Sequence, residues 1–127
     1  MSAMEEFVVI DRFPGIDDYR RLRSVSGMSP KSAEAAVLGL ANTLFGVGVM
    51  LGERTVGRGR IIGDGGCFFI VVDIALQPEY QRRGLGKKIM DALDAWLRAN
   101  APESLWEALQ PRRTQAEKAS RRLVFGL

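Results

Sequence analysis

From Val71 to Ala99 the chain reads VVDIALQPEYQRRGLGKKIMDALDAWLRA: an apolar run, a polar turn holding two glycines and two arginines, then an amphipathic repeat. The apolar run predicts a strand and the repeat a helix, so the turn is a strand-to-helix junction. The first four backbone N–H groups of a helix have no intrahelical acceptor, and the aligned peptide dipoles place partial positive charge at that end. An anion satisfies both, which makes the junction a candidate pyrophosphate cradle. Gly84 and Gly86 let a ligand approach the main chain, and both can take the left-handed angles that aim successive amides at one point. Arg82, Arg83, Lys87 and Lys88 add positive charge, two of them as guanidinium groups that grip phosphate oxygens through paired bonds. The bland alternative is a tight turn with solvated basic side chains.

Two other phosphate motifs do not fit. A Walker-type loop needs GxxxxGK followed by Ser or Thr, whereas Gly86-Lys87 is followed by Lys88 and lacks the earlier glycine. A dinucleotide fingerprint GxGxxG would place its third glycine at Ile89, and no strand with an acidic end follows about 20 residues later. The string Gln81-Arg82-Arg83-Gly84-Leu85-Gly86 instead matches, residue for residue, the Gln/Arg-x-x-Gly-x-Gly/Ala motif of the GNAT-type N-acetyltransferases, and the chain resembles that family. The flanks carry the likeness further: DIAL-x-PE resembles the family's fourth strand, KKIMDAL its third helix, and LANTLFGVGVMLGERTVGRGRIIGDGG its second and third strands. The resemblance spans roughly residues 7–99.

It implies an α/β (α+β) fold with a mixed, mostly antiparallel central sheet flanked by helices, and transfer of an acetyl group from acetyl-coenzyme A to a primary amine by direct attack in a ternary complex. The pantetheine arm would lie along the strand edge Ile74-Ala75-Leu76, in a wedge left where a fifth strand splays away. The pyrophosphate would sit on Gln81, Arg82, Arg83, Gly84, Leu85, Gly86 and Lys87, and a backbone N–H near Leu76 would stabilise charge on the thioester oxygen. The attacking amine must lose a proton. Asp73 is the only ionisable side chain between Cys67 and Leu76, so burial would raise its pKa toward that of a useful base; its other reading is a carboxylate that holds a neighbouring loop or amide. Many family members use a tyrosine on the helix after the fifth strand as acid. The tyrosines here, Tyr19 and Tyr80, are not at that position, so no acid carries over. Cys67 has no activating neighbour and reads as a small buried residue.

A length of 127 residues with 46% hydrophobic content suits one domain, 1–127, that can bury a core. The net charge of +3 is mild and spread over several clusters, which suits an anionic cofactor as well as nucleic acid. One cysteine excludes an internal disulfide, and the absence of histidine argues against a common zinc site or any metal. With no signal-peptide pattern and no apolar run of about 18 residues, the expectation is a cytoplasmic protein with no membrane partner.

Along the chain, Phe7 to Ile10 predicts a short strand and Asp11 to Gly15 a turn. A helix follows, with Asp17 and Asp18 suiting its dipole and Tyr19, Leu22 and Val25 at helical spacing. Ser29-Pro30 predicts a cap and first turn, with Ala33, Ala36, Val37, Leu40 and Ala41 as the buried stripe of a second helix. In the family these two helices flank the acceptor entrance. From Leu44 to Leu76 the turn signals Gly52-Glu53 and Asp64-Gly65-Gly66 divide three antiparallel strands, the last of them, Cys67 to Leu76, covered on both faces at the centre of the sheet. The third helix presents Ile89, Leu93, Trp96 and Leu97 to the core.

After Ala99 the chain departs from the family. Residues 101–127 are mostly polar and basic where a fifth apolar strand and a Leu-Tyr-x-x-x-Gly-Phe signature belong; Leu105, Trp106 and Leu109 suggest one or two helical turns, and Arg121 to Leu127 at most a short terminal strand. This is a divergent replacement or the product of a shifted reading frame, which translation of the gene in all three frames distinguishes. The cradle lies outside the departure and one wall of the wedge inside it, so cofactor binding and turnover are separable. A bare fourth-strand edge would also favour a homodimer, with segment exchange as one route. Two alternatives to an acetyltransferase acting on a small-molecule or protein amine remain: a non-catalytic acyl-coenzyme A sensor, and a basic nucleic-acid-binding module. The latter is disfavoured because the basic residues are not interleaved with aromatics and no recognised binding motif occurs.

Overall fold

Glycine and arginine alternate through Gly57-Arg58-Gly59-Arg60, in the middle strand of the sheet, and this alternation decides what each face can carry. The computed structural model describes residues 6–102 and 124–126. In chain order these form β1 (Phe7–Ile10), α1 (Ile16–Val25), α2 (Ala33–Leu40), β2 (Phe45–Leu51), β3 (Arg54–Gly63), β4 (Phe69–Leu76), α3 (Leu85–Asn100) and β5 (Val124–Gly126). The sheet order is β1-β2-β3-β4-β5, antiparallel except for the parallel pair β4–β5.

Gly57 and Gly59 point to the face that α3 covers, where a Cβ on Gly59 would come within 2.7 Å of Ile89 Cγ2. Their absent side chains let α3 seat directly on β3. Leu85, Ile89, Leu93 and Leu97 recur at the spacing of one helix face and are buried against Val47, Val49, Val56, Ile61, Phe69 and Val71. Each such side chain removed from water stabilises the fold by about 1.5–3 kcal/mol. Trp96 is only partly buried and stacks on Phe45, ring centroids 5.4 Å apart at 9°. Arg58 and Arg60 point the other way, toward α1.

β4 changes face at its middle. Arg58 pairs with Ala75 and Arg60 with Val72, so Gly59 alone opposes Asp73 and Ile74, and Asp73 takes φ of +60°. This β-bulge shifts the alternation by one residue: Phe69 and Val71 pack into the α3 core before it, Ile74 and Leu76 after it. Asp73 and Ala75 are thereby left on the α1 face, both buried.

Several sequence expectations are corrected. The middle strand is β3; β4 lies one place toward the edge, and its exposure alternates between buried and half-buried positions. The α2 cap is Ser32, whose hydroxyl accepts the Ala35 N–H at 3.0 Å; Ser29 instead accepts from Arg23 through both its carbonyl and its hydroxyl. Of the stripe expected on α2 only Ala36 is fully buried, and Val37 lies exposed, as does Val25 on α1. Cys67 is exposed rather than buried, because the strand begins at Phe69 and Cys67 belongs to the turn, where its amide donates to Asp64 Oδ1 at 2.8 Å. Leu105, Trp106 and Leu109 lie outside the described residues.

Candidate functional site

At the end of β4 a single 3-10 turn, Pro78–Tyr80, leads to Gln81 and then to the start of α3. Gly84 is the N-cap, with φ of +80° and ψ of 5°, and no side chain caps the helix. The first bond at this end runs from Lys88 N–H to the Gly84 carbonyl at 3.2 Å, so the amides of Leu85, Gly86 and Lys87 precede the ladder. A Cβ on Gly84 would meet nothing within 4 Å, and one on Gly86 only Leu76 Cδ1 at 3.9 Å. The space beside both glycines is open. The open space, the uncapped dipole and the nearby basic residues fit a diphosphate such as that of coenzyme A.

The basic side chains are placed unequally. Arg82 is exposed and, like Gly84, has positive φ, 65°. Arg83 lies over the rings of Tyr80 and Phe7, at 5.5 and 5.8 Å, and donates to the Glu79 carbonyl. Lys87 pairs with Asp91 at 2.8 Å across one exposed helical turn, a pair worth little in water. That pairing raises the Lys87 pKa, through the hydrogen bond first and the Asp91 charge second.

Gln81 turns back to β4, donating to the Leu76 carbonyl at 3.1 Å, which also accepts from Ser26 Oγ at 3.2 Å. Gln77 N–H bonds Val56 of β3, so by alternation the Leu76 amide and carbonyl face the opposite edge. On that edge, among the described residues, β5 pairs with Ile70, Val71 and Val72. Beyond Val72, Ile74-Ala75-Leu76 has no strand partner there among the described residues, and this stretch of edge leads directly to the Gly84–Lys87 amides.

Asp73 stands behind this edge, at the hub of a buried polar cluster. Its carboxylate accepts from Arg23 Nη1 and Arg60 Nε, both at 2.7 Å, and from Tyr19 Oη at 3.2 Å on both oxygens. Arg58 Nη1 donates to the Asp73 main-chain carbonyl and lies 3.9 Å from its carboxylate. With both oxygens held by guanidinium donors, the arrangement favours a structural counter-ion over a proton acceptor. Burial pushes the Arg58 pKa down from the ordinary guanidinium value to about 10, against the opposing pull of Asp73.

Sequence reasoning places Tyr19 on the apolar spacing of the first helix and counts Arg23, Arg58 and Arg60 within dispersed basic stretches, assigning none of the four to this cluster. The available signal is the Gly-Arg-Gly-Arg alternation: in a strand, it puts both guanidinium groups on one face of the sheet.

The sheet, with helices on both faces and a helix N-terminus at the end of β4, defines a mixed α/β class of fold. A family model described as an acetyltransferase (GNAT) domain matches residues 45–122. The chain belongs to the GNAT acetyltransferase family. The match continues past Ala99, the end of the stretch in which the motifs resemble the family. Among solved structures, the chain is similar to a protein from meticillin-resistant Staphylococcus aureus described as of unknown function and a probable acetyltransferase, with 41% identity over 78% of this chain and 74% of that one, at a TM-score of 0.74. A GNAT-family acetyltransferase from Streptococcus pneumoniae shares the fold at 19% identity and a TM-score of 0.65, covering 96% of this chain and 76% of that one. So does a GNAT-family acetyltransferase from Brucella melitensis in complex with acetyl-CoA, at 13% identity and a TM-score of 0.59, covering 75% and 70%. No curated protein matches the chain. Among the described residues no helix is long and apolar enough to cross a membrane.

Proposed function

We propose that this chain binds acetyl-coenzyme A and passes its acetyl group to the primary amine of a small-molecule or protein acceptor. The observation that carries the reading is the continuity of the Ile74-Ala75-Leu76 edge, beyond the β5 pairings given by the described residues, with the uncapped amides of Leu85, Gly86 and Lys87. When bound, the thioester supplies an activated acetyl carbon. Arg82 and the amides at the start of α3 would hold the diphosphate, with Arg83 and Lys87 beside them, and Gln81 would fix the end of β4 through the Leu76 carbonyl. The Leu76 N–H, facing that edge, would receive the carbonyl oxygen. The nitrogen–carbon bond forms as the carbon–sulfur bond breaks, and the amine proton leaves to solvent or to the departing thiolate. Asp73 would act by fixing Arg23 and Arg60 rather than by taking that proton.

Isothermal titration with coenzyme A, paired with a thiol-release assay over an amine panel, tests the reading. Saturable coenzyme A binding and acetyl-CoA-dependent thiol release with at least one amine are expected. Absence of binding overturns it; binding with no release for any amine makes the chain a non-catalytic acyl-coenzyme A binder. The homodimer proposal has a specific form here: exchange of Val124–Gly126 between copies would complete each β4 edge at Ile70–Val72. Sedimentation at several protein concentrations checks it, and a strictly monomeric species at high concentration removes it.

A further inference from the structure

Three guanidinium groups, those of Arg23, Arg58 and Arg60, are buried on the α1 face of the sheet, and among the described residues one carboxylate, Asp73, lies within ion-pair distance of them. Neutral acceptors take many of the remaining N–H groups: Ser29 for Arg23, the Tyr19 carbonyl for Arg58, and Gly39 and Thr43 for Arg60. These satisfy hydrogen bonds without balancing charge. Taking an uncompensated ion out of water costs several kcal/mol, so a net positive cluster under a sheet face is either offset elsewhere or awaits an anion.

Two details locate the surplus. Arg58 Nε is buried with no hydrogen-bond partner among the described residues, although Arg58 stands behind the cleft's lining rather than in it. Arg60 spends Nε on Asp73 and Nη1 on Gly39 and Thr43, Nη2 has no partner among the described residues, and the residue forms part of the wall of a cleft of about 230 Å³ between α1, α2 and β3. Lys31 and Tyr19 line the same cleft, Ala35, Ala36, Gly39 and Leu40 of α2 form the rest, and no carboxylate is in its lining. Tyr19 links the cleft to Asp73, the residue before the proposed pantetheine edge.

Resting on the function proposed above, we infer that the acceptor amine carries a carboxylate, seated in this cleft between Arg60 and Lys31. An acceptor of amino-acid type meets that description: its carboxylate supplies the anion that the buried cluster lacks, and its amine remains to reach the thioester. The cleft holds a group of a few heavy atoms, which suits a free small molecule better than a folded protein surface.

The test is titration of the full chain, followed by NMR or calorimetry, with N-acetylglycine and with N-acetylglycinamide, product-like probes that differ in the carboxylate alone. A charge-assisted bond predicts that the carboxylate binds about ten-fold or more tightly than the amide, with the preference weakening in salt. Lys31→Glu and Arg60→Gln should each erase the difference. Lys31 is exposed, so its variant keeps the test decisive if loss of the Arg60–Asp73 contact prevents folding. Equal affinity for the two probes, or a preference untouched by Lys31→Glu, overturns the inference. Coenzyme A titrated into the same sample separates the two readings. Coenzyme A binding without carboxylate preference sinks this inference alone, whereas carboxylate preference without coenzyme A binding sinks the acetyl-transfer reading and leaves the anion cleft standing.

Discussion

Arg60 Nε and Asp73 Oδ2 meet at 2.7 Å across β3 and β4, a contact that exists because the bulge at Asp73 rotates its carboxylate onto the arginine face. Without the extra residue in β4, alternation would send this side chain to the α3 core, where no cation would meet it.

Asp73→Asn should therefore destabilise the protein far more than loss of a surface pair. Removing the carboxylate leaves three buried guanidinium groups without a counter-ion, at a cost of about 3–5 kcal/mol. Asp94→Asn, which breaks the exposed Arg98–Asp94 contact of 2.8 Å, should cost less than about 1 kcal/mol. Urea denaturation of the two variants checks this, and similar midpoints would remove Asp73 from its role as hub.

Gly86→Val should fold and lose coenzyme A. Its Cβ meets only Leu76 Cδ1 at 3.9 Å, so the added side chain is accommodated in open space beside the start of α3, where the proposed diphosphate would lie. A ten-fold or greater loss of affinity, about 1.4 kcal/mol, is expected by calorimetry. Lys87→Ala should leave the melting temperature unchanged, because its pair with Asp91 is exposed, and weaken coenzyme A several-fold. Undiminished binding by the valine variant would place the diphosphate elsewhere.

Two glycine-to-alanine changes should act with opposite sign. Gly59→Ala drives a methyl to 2.7 Å from Ile89 Cγ2 at the β3–α3 contact, an overpacking worth about 1–3 kcal/mol of destabilisation. Gly39→Ala meets nothing within 4 Å near the end of α2 and should stabilise by about 0.5–1 kcal/mol through helix propensity. Thermal melts of both read the difference directly.

Asp64 predicts an acid-sensitive turn. Its carboxylate accepts the amides of Phe68, Gly66 and Cys67 at 3.0, 2.8 and 2.8 Å, and these bonds, Phe68 first, hold its pKa below 3.8. A depressed folded-state pKa means that the contribution is present above 3.8 and is lost as pH falls through the folded value. Asp64→Asn should consequently be less stable than the parent at pH 7, and the gap should close in acid. A gap that persists unchanged down to about pH 2 would show that the charge is not what holds the turn.

The linear pattern carries local structure well. The apolar run into Leu76, the Gln81–Gly86 string and the repeat through Leu97 place β4, the turn and α3, because strand and helix periods and a glycine at a left-handed position are local properties. The cap expected at Ser29 lies instead at Ser32 because Ser29 is recruited by Arg23, a contact that helix propensity does not register. The same limit hid the charged cluster. Arg23, Arg58 and Arg60 resemble ordinary surface arginines until α1 is laid across β3 and β4.

What the order of amino acids determined by itself is the strand–turn–helix unit and the chemistry of its open amides, since each depends on neighbours within a few residues. Tertiary structure alone decided that β5 pairs with β4 in parallel at Ile70–Val72, and that Asp73 gathers guanidinium groups from α1 and β3. Those outcomes depend on strand register and on a bulge, which bring together side chains 13 and 50 residues apart in the chain, and no local period encodes such meetings.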